Sequence, residues 1–306
     1  MTRGLTLWLT ALAMVAFAGN SLLCRAALDT TAIDPASFTG IRLLSGALIL
    51  WLVVRWQARA PVLSGSWPSA LALFAYAVLF SFAYLGLSAG TGALLLFGAV
   101  QATMILYGLW RGERLAAWQW VGLGLALAGM VGLFLPGFTA PPPAAGLMMV
   151  AAGIAWGVYS LRGRAGGDPT AVTAGNFIRT LPLAAVLSLL TLSWASLDLA
   201  GVLYAVASGA LASGLGYAIW YMALPGLDAT SAATVQLSAP VIAALGGVAL
   251  LSEPLSLRLL LASAAILGGI ALVIRRRAVA RGEGASGPAA TCHADAVSLT
   301  VRYALG

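Results

Sequence analysis

The chain has 306 residues, a formal net charge of +7, 61% hydrophobic and 8% charged residues, and a mean hydropathy of +0.98. Soluble domains carry about 25% charged residues, so this composition excludes an ordinary soluble domain. Leu- and Ala-rich runs recur along the chain, and a run of about 20 apolar residues crosses the roughly 30 Å core of a bilayer. The basic residues are all Arg, and most lie between the apolar runs. They indicate orientation in a membrane and do not predict a nucleic-acid partner.

Charged residues and Pro/Gly clusters divide the chain into ten predicted membrane spans. In chain order these are 4–26, 35–54, 68–87, 91–110, 115–135, 144–162, 171–192, 199–223, 229–250 and 255–274. The clearest break is the uncharged, proline-rich stretch "LPGFTAPPPAAG" at 135–146, which leaves five spans on each side. The sequence therefore predicts an all-α integral membrane protein with five-helix repeats at 1–136 and 137–277. We expect the small, polar tail at 278–306 to be cytoplasmic and disordered.

The residues between the spans predict which side faces the cytoplasm. With a cytoplasmic N terminus, the inner connections and ends contain Arg3, Arg55, Arg59, Arg111, Arg114, Arg162, Arg164, Arg275, Arg276 and Arg277. The outer connections then contain Arg258 and four acids, Asp29, Asp34, Asp198 and Glu253. Cytoplasmic loops are enriched in Arg and Lys, so we expect a multi-pass protein of the inner (plasma) membrane with both termini in the cytoplasm.

The two halves of the chain are similar in sequence. Four segments of the first half, "FAGNSLLCR", "FTGIRLL", "AYLGL" and "GERLAAW", match "WGVYSLRGR", "GNFIRTL", "WYMAL" and "SEPLSLR" of the second, at offsets of 137 to 140 residues. Five spans per copy is an odd number, so the second copy is inserted upside down. Inverted repeats are typical of transporters that work by alternating access, with the substrate near the midplane.

Three of these motifs resemble a known superfamily. They are "GERL" with the following Gly-x5-Ala-Gly at 112–129, "SEPL" at 252–255 with Gly268 and Gly269, and "GYAIWYMAL" at 216–224. Together they resemble the drug/metabolite transporter superfamily, and most closely its EamA-type ten-helix exporters. The resemblance implies export of amino acids or related metabolites, as in the YddG-like aromatic amino-acid exporters. The Trp that the family carries in its first helix is Phe17 here, while its counterpart Trp156 is present.

Arg42 and Arg179 are repeat-related and lie inside apolar spans. An arginine there is costly in lipid, so both side chains should face protein or water. Three roles remain open. Each Arg ties helix ends together, or it forms a gate with an acid on its own side (Glu253 for Arg42, Glu113 for Arg179), or it binds a substrate carboxylate.

The resemblance implies that helices 1, 3, 4, 6, 8 and 9 surround a central cavity. The candidate substrate-binding residues are polar or aromatic residues of those helices, namely Asn20, Tyr84, Gln101, Trp156, Tyr159, Tyr217, Trp220, Tyr221 and Gln236. Aromatic rings suit an apolar side chain, and amides suit the amino and carboxyl groups of an amino acid. Interfacial anchoring of the aromatic residues and interhelical hydrogen bonding of the amides are the competing interpretations. Pro240 removes a backbone hydrogen bond and predicts a kink in the ninth helix.

The predicted spans contain no Asp or Glu, and the one His lies in the tail. A proton-coupled carrier needs a titratable group within the bilayer, so a facilitator or exchanger is favoured. We expect neither a metal site nor a cofactor, and no enzymatic activity. A channel-like facilitator, or a carrier of nucleotide-sugars or phosphorylated metabolites with the same fold, stays open as an alternative. Glycines in spans five and ten predict close packing, within one chain or between two, so the oligomeric state is left open.

Overall fold

The computed structural model describes residues 2–57, 64–112, 114–135, 140–163, 168–227 and 229–284. These residues form ten helical segments and no strand. The segments are α1 (Arg3–Thr30), α2 (Pro35–Trp56), α3 (Trp67–Ala83), α4 (Ala89–Trp110), α5 (Ala117–Phe134), α6 (Pro143–Arg162), α7 (Pro169–Leu190), α8 (Leu199–Gly226), α9 (Ala229–Gln236 and Ser238–Leu251) and α10 (Leu257–Gly284). Glu113, the 136/137 boundary between the predicted repeats and residues 285–306 of the predicted tail lie outside the described residues.

The ten predicted spans correspond to these ten helices. In the described part of the chain, nine helices are long and apolar enough to cross a membrane, and α3 is a shorter apolar helix. The prediction placed the end of the third span at residue 87, but α3 ends at Ala83. The chain turns there because Ser88 caps the next helix, accepting a hydrogen bond from the Thr91 amide at 3.3 Å. The all-α membrane fold is confirmed.

Asp34 caps the N terminus of α2 and links the α1–α2 connection to the α7–α8 connection. Its carboxylate accepts hydrogen bonds from the amides of Ala36 and Ser37 at 2.9 Å and from the Ser196 amide at 3.0 Å. Partial burial raises the pKa of Asp34, but hydrogen bonds from Ser37, Ser196 and Ala36 outweigh it, so the pKa lies below its usual value. The carboxylate is therefore ionised at neutral pH and ties the α1–α2 connection to the α7–α8 connection.

Helices of the two halves interleave. α1 packs on α8 and α9, α3 and α4 pack on α6, and α2 packs on both α7 and α8. α5 and α10 pack mainly on each other. The connections α1–α2, α3–α4, α7–α8 and α9–α10 lie at one end of this bundle, which we call the Glu253 end. Because α1, α3, α4, α6, α8 and α9 meet along their inner faces, their side chains define the interior space.

α8 and α9 depart from regular α-helix. In α8, Ala207–Leu215 is π-helical, and π-helical turns are often found at functional sites. Gly209 belongs to this segment and lies against the backbone carbonyl of Arg42, leaving no room for a Cβ. α9 is interrupted at Leu237. Pro240 lacks the N–H that would bond to the carbonyl four residues earlier, which explains the predicted break.

The glycines of α5 and α10 separate into packed and open positions. A Cβ on Gly122 would lie 2.6 Å from the Gly269 carbonyl oxygen, and a Cβ on Gly269 would lie 2.8 Å from the Ala126 amide nitrogen. The adjacent Gly268 has no atom of a described residue within 4 Å of a Cβ. Close packing within one chain therefore explains Gly122 and Gly269, while Gly268 lies on the outer surface of the pair.

This difference gives a matched pair of variants. We expect Gly269→Ala to lower the free energy of unfolding by about 2 kcal/mol, because the new methyl group meets backbone atoms that no rotamer change can move. Gly268→Ala should raise it by about 0.5–1 kcal/mol, because alanine favours a helix and no atom opposes it. Unfolding in mixed micelles with increasing SDS measures both. Equal effects of the same sign would contradict the packing.

Candidate functional site

A cavity of about 60 Å³ lies between the two halves of the bundle. By the same measure a water molecule needs roughly 10–15 Å³, so the space suits a small molecule and not a polymer. Residues of α1, α3, α4, α6, α8 and α9 line it. They are Phe17, Asn20, Ser21, Tyr76, Leu96, Phe97, Val100, Met104, Trp156, Tyr159, Ser160, Ala212, Tyr217, Trp220, Tyr221 and Gln236.

Aromatic rings form most of the apolar wall, with Trp156 at their centre. The Trp156 ring stacks on Tyr217 at 5.2 Å between centroids and 21° between planes. It also contacts Tyr76 at 4.8 Å and Tyr159 at 5.2 Å. Phe17 packs on Tyr217 at 5.7 Å between ring centroids. Such rings offer an apolar face together with hydroxyl groups, which suits a ligand with an apolar part and polar ends.

One hydrogen-bonded network joins α1, α2, α3 and α8 beside the cavity. The Ser208 hydroxyl donates to Asn20 Oδ1 at 2.7 Å, and Asn20 Nδ2 donates to the Tyr76 hydroxyl at 3.2 Å. Arg42 Nη2 donates to the same Tyr76 hydroxyl at 3.0 Å, and its Nε donates to the Ser213 hydroxyl at 3.4 Å. The π-helical segment of α8 supplies both serines. This network brings a positive charge close to the cavity wall.

A second network lies towards the other end of the cavity and is made of neutral groups. Tyr159 and Tyr221 both hydrogen-bond to the Thr173 hydroxyl, at 3.5 Å and 3.0 Å. Asn176 Nδ2 donates to the Tyr159 hydroxyl at 3.5 Å, while Asn176 Oδ1 accepts from the Ser66 amide at 2.9 Å. The two polar ends of the cavity thus differ in charge.

The structure brings together seven of the nine candidate binding residues and leaves two elsewhere. The seven that line the cavity are Asn20, Trp156, Tyr159, Tyr217, Trp220, Tyr221 and Gln236. Gln101 is buried in α4 but does not line the cavity. Tyr84 lies just past the end of α3, fully buried, and its hydroxyl donates to the Ala89 carbonyl at 3.4 Å. Tyr84 therefore belongs to the packing of the Glu253 end.

Tyr76 is one of the lining residues that sequence reasoning missed, and it makes the most polar contacts among them. It touches both the aromatic wall and the charged network. Its repeat counterpart is Ser213, so a search for matching aromatic residues in the two halves cannot reveal it. Spacing carries a usable signal, because Tyr76, Phe80 and Tyr84 follow one another at four-residue intervals along one helix face.

Arg42 and Glu253 do not pair. Arg42 is 2% exposed and contacts Tyr76, Ser213 and the Phe80 ring. Glu253 instead meets Arg25 Nε at 3.2 Å and accepts from the Ala89 amide with both oxygens, at 3.0 Å and 2.9 Å. The reason is position, since α9 packs on α1 and α4, whereas α2 packs on α3, α7 and α8. The cross-repeat ion pair at this end therefore uses Arg25, whose role the sequence did not suggest.

Arg179 holds a connection at the opposite end. Its Nη1 donates to the Ser64 carbonyl at 2.8 Å and to the Gly175 carbonyl at 2.9 Å. These bonds fix the residues that precede α3 against α7. Its suggested partner Glu113 lies outside the described residues.

Each half of the chain matches the same family, the EamA-like transporter family, over residues 4–135 and 144–275. The chain belongs to this family. It is 59% identical over 273 residues to an uncharacterized protein of Pseudomonas aeruginosa, and the matched region covers 89% of this chain and 95% of the relative. It is 30% identical over 217 residues to an uncharacterized transporter of Archaeoglobus fulgidus, covering 68% of this chain and 77% of the relative.

A solved crystal structure shares the fold of this EamA-like protein, with a TM-score of 0.60 and 21% identity, covering 89% of this chain and 98% of the other. Membership of the family makes the protein a multi-pass membrane transporter with a small-molecule substrate.

Proposed function

We propose that this EamA-like transporter exports small metabolites, and specifically amino acids with apolar or aromatic side chains. The observation that carries the proposal is the composition of the cavity, in which rings around Trp156 adjoin two separate polar networks. An amino acid needs an apolar surface for its side chain and hydrogen-bonding groups for its two polar ends. The candidate residues that line the cavity are the proposed contacts.

Alternating access between inverted repeats, 1–136 and 137–277, is the proposed mechanism. The contacts at the Glu253 end join residues of both halves, and they are the proposed latch of that end in its closed state. Opening requires Glu253 to leave Arg25 and Ala89. The break in α9 near Pro240 and the π-helical part of α8 are the proposed flexible points. We place the protein in the inner membrane with both termini in the cytoplasm, following the positive-inside pattern.

The described acidic side chains lie at helix ends and connections. This distribution favours a facilitator or exchanger over a proton antiporter, because proton relays need a titratable group inside the bilayer. A channel-like facilitator, or a carrier of phosphorylated or nucleotide-sugar metabolites, are the alternative outcomes of the test.

Counterflow tests the proposal. Purified protein in liposomes loaded with unlabelled Trp, Met or Thr should take up the labelled amino acid with saturation, with or without a pH gradient. Accumulation that needs the gradient would point to proton coupling. Flux without saturation or counterflow would indicate a channel. Absence of counterflow with every amino acid tested would overturn the amino-acid assignment while leaving the family unchanged.

A further inference from the structure

Arg42 carries a positive charge that its surroundings do not neutralise. It is 2% exposed, and its partners are the hydroxyls of Tyr76 and Ser213 and the rings of Tyr76 and Phe80. Its Nη1 is buried and has no hydrogen-bond partner among the residues that the structure describes. The carboxylates of Asp29 and Glu253 pair with Arg25 and not with Arg42. A buried guanidinium with neutral partners and an unused N–H group is costly, so an anion at this place would be strongly favoured.

The Tyr76 hydroxyl connects that charge to the cavity. It accepts hydrogen bonds from Arg42 Nη2 at 3.0 Å and from Asn20 Nδ2 at 3.2 Å. A phenol oxygen has two acceptor sites and one proton to donate. Asn20 has its own oxygen occupied by Ser208, so its amide is fixed with the nitrogen towards Tyr76. Both acceptor sites of Tyr76 are therefore used, and its proton remains for a ligand.

Tyr76 and Asn20 both line the cavity. A hydroxyl that already accepts a bond from a guanidinium is polarised, and it donates more strongly to a negatively charged acceptor. The second polar network, around Tyr159 and Tyr221, carries no such charge. The cavity is thus polarised, with an anion-attracting side at Tyr76.

We propose that the Tyr76 side of the cavity binds the carboxylate of the substrate, with Tyr76 as the contact residue and Arg42 as the positioning residue behind it. One guanidinium and one hydroxyl match a single negative charge, so a monocarboxylate fits better than a phosphate. The apolar part of the substrate then lies against Trp156. This inference rests on the proposed function for the identity of the substrate. It adds that the substrate carries a carboxylate and that this carboxylate lies at the Tyr76 side of the cavity.

Matched pairs of probes test the inference without transport. The thermal stability of the purified protein in detergent is measured with phenylalanine, tryptophan and indole-3-propionate, each against its primary amide. For wild type we expect a carboxylate to stabilise at a concentration about tenfold lower than its amide does. Tyr76→Phe keeps the ring and Arg42, and it should remove that preference. If no carboxylate in the panel is preferred over its amide, the inference is overturned.

Arg42 is tested through the same preference. Arg42→Gln should abolish the carboxylate preference, and Arg42→Lys should restore part of it, whereas a purely structural arginine would affect acids and amides equally. In counterflow, Tyr76→Phe should raise the half-saturating concentration of a transported amino acid about tenfold with little change in maximal rate. If the protein prefers carboxylates but shows no amino-acid counterflow, the proposed function is wrong and this inference stands. Counterflow with equal binding of acid and amide would sink this inference alone.

Discussion

Replacing Trp156 by alanine is expected to lower amino-acid counterflow about 30-fold. The Trp156 ring contacts Tyr217, Tyr76 and Tyr159, at 5.2, 4.8 and 5.2 Å between centroids, and forms the middle of the cavity wall. Its removal takes away the apolar face against which a substrate side chain would pack and leaves the neighbouring rings free to collapse. The loss of one central aromatic anchor is worth about 2 kcal/mol, which corresponds to this factor.

Two variants separate this effect from a general loss of fold. Trp156→Phe keeps a ring that can stack on Tyr217, so it should stay within about threefold of wild type. Trp8→Ala removes a side chain that is 75% exposed on the outside of α1, and its counterflow should not change. Initial rates with labelled tryptophan, normalised to the protein reconstituted, give the comparison. A Trp156→Ala variant with wild-type rates would mean that the substrate does not reach this wall.

The architecture was predictable because it follows from hydrophobic length. Each span had to be long enough to cross the bilayer and had to end at charges, prolines or capping residues. Asp34 and Ser88 cap α2 and α4 as such residues do in other helices. The duplication was equally visible, since "FTGIRLL" and "GNFIRTL" keep their Arg at matching places. Span length, capping residues and the internal repeat can all be read from the sequence without knowing how the helices pack.

The site was predictable only in part because it depends on how helices rotate and where they stop. The spacing of Tyr76 and Tyr84 predicts one shared helix face, but they are eight residues apart, which is about 12 Å along a helix. One of them can be level with the cavity, and the sequence alone favoured Tyr84. The structure places Tyr76 there, because Tyr84 lies beyond the last turn of α3.

Partners of charged groups were the least predictable feature. Arg42 and Glu253 belong to the same end of the bundle, which made their pairing reasonable. Glu253 pairs with Arg25 because α9 lies beside α1, and that neighbourhood is decided by the packing of all ten helices. The π-helical segment of α8 is a further example, since "ASGALASGL" reads as an ordinary small-residue helix.

Glu253→Gln is expected to lower the free energy of unfolding by about 3 kcal/mol. The Glu253 carboxylate receives the Ala89 amide at the first turn of α4 and Arg25 Nε, with side-chain exposures of 12% for Glu253 and 18% for Arg25. Arg25 Nη1 also donates to the Tyr84 carbonyl at 3.1 Å. The neutral amide of Gln removes the buried partner of Arg25. Its NH₂ group is a donor and cannot accept hydrogen bonds from the Ala89 amide or from Arg25. Loss of one member of a buried pair costs about 3–5 kcal/mol, and the residual exposure places this pair at the lower limit.

Asp29→Asn is the matched control. Asp29 is the other carboxylate on Arg25, with an Oδ1 to Nη2 distance of 2.9 Å, but its side chain is 47% exposed. Exposed pairs contribute about 0–1 kcal/mol, so this variant should remain close to wild type. SDS titration of each protein in mixed micelles measures both free energies. Equal, small effects would mean that Asp29 compensates for the loss of Glu253.

The same pair connects stability to the proposed transport cycle. In the proposed cycle, opening the Glu253 end separates Arg25 from Glu253. The free energy that the pair contributes to folding therefore also favours the closed form over the open form. About 3 kcal/mol corresponds to a shift of roughly 150-fold in the ratio of closed to open forms. Glu253→Gln should therefore populate the open form far more than Asp29→Asn does. An alkylating reagent supplied from that side should then label the buried Cys24, next to Arg25, faster in the first variant. Equal labelling rates would remove this contact from the gating mechanism, even if the stabilities differ.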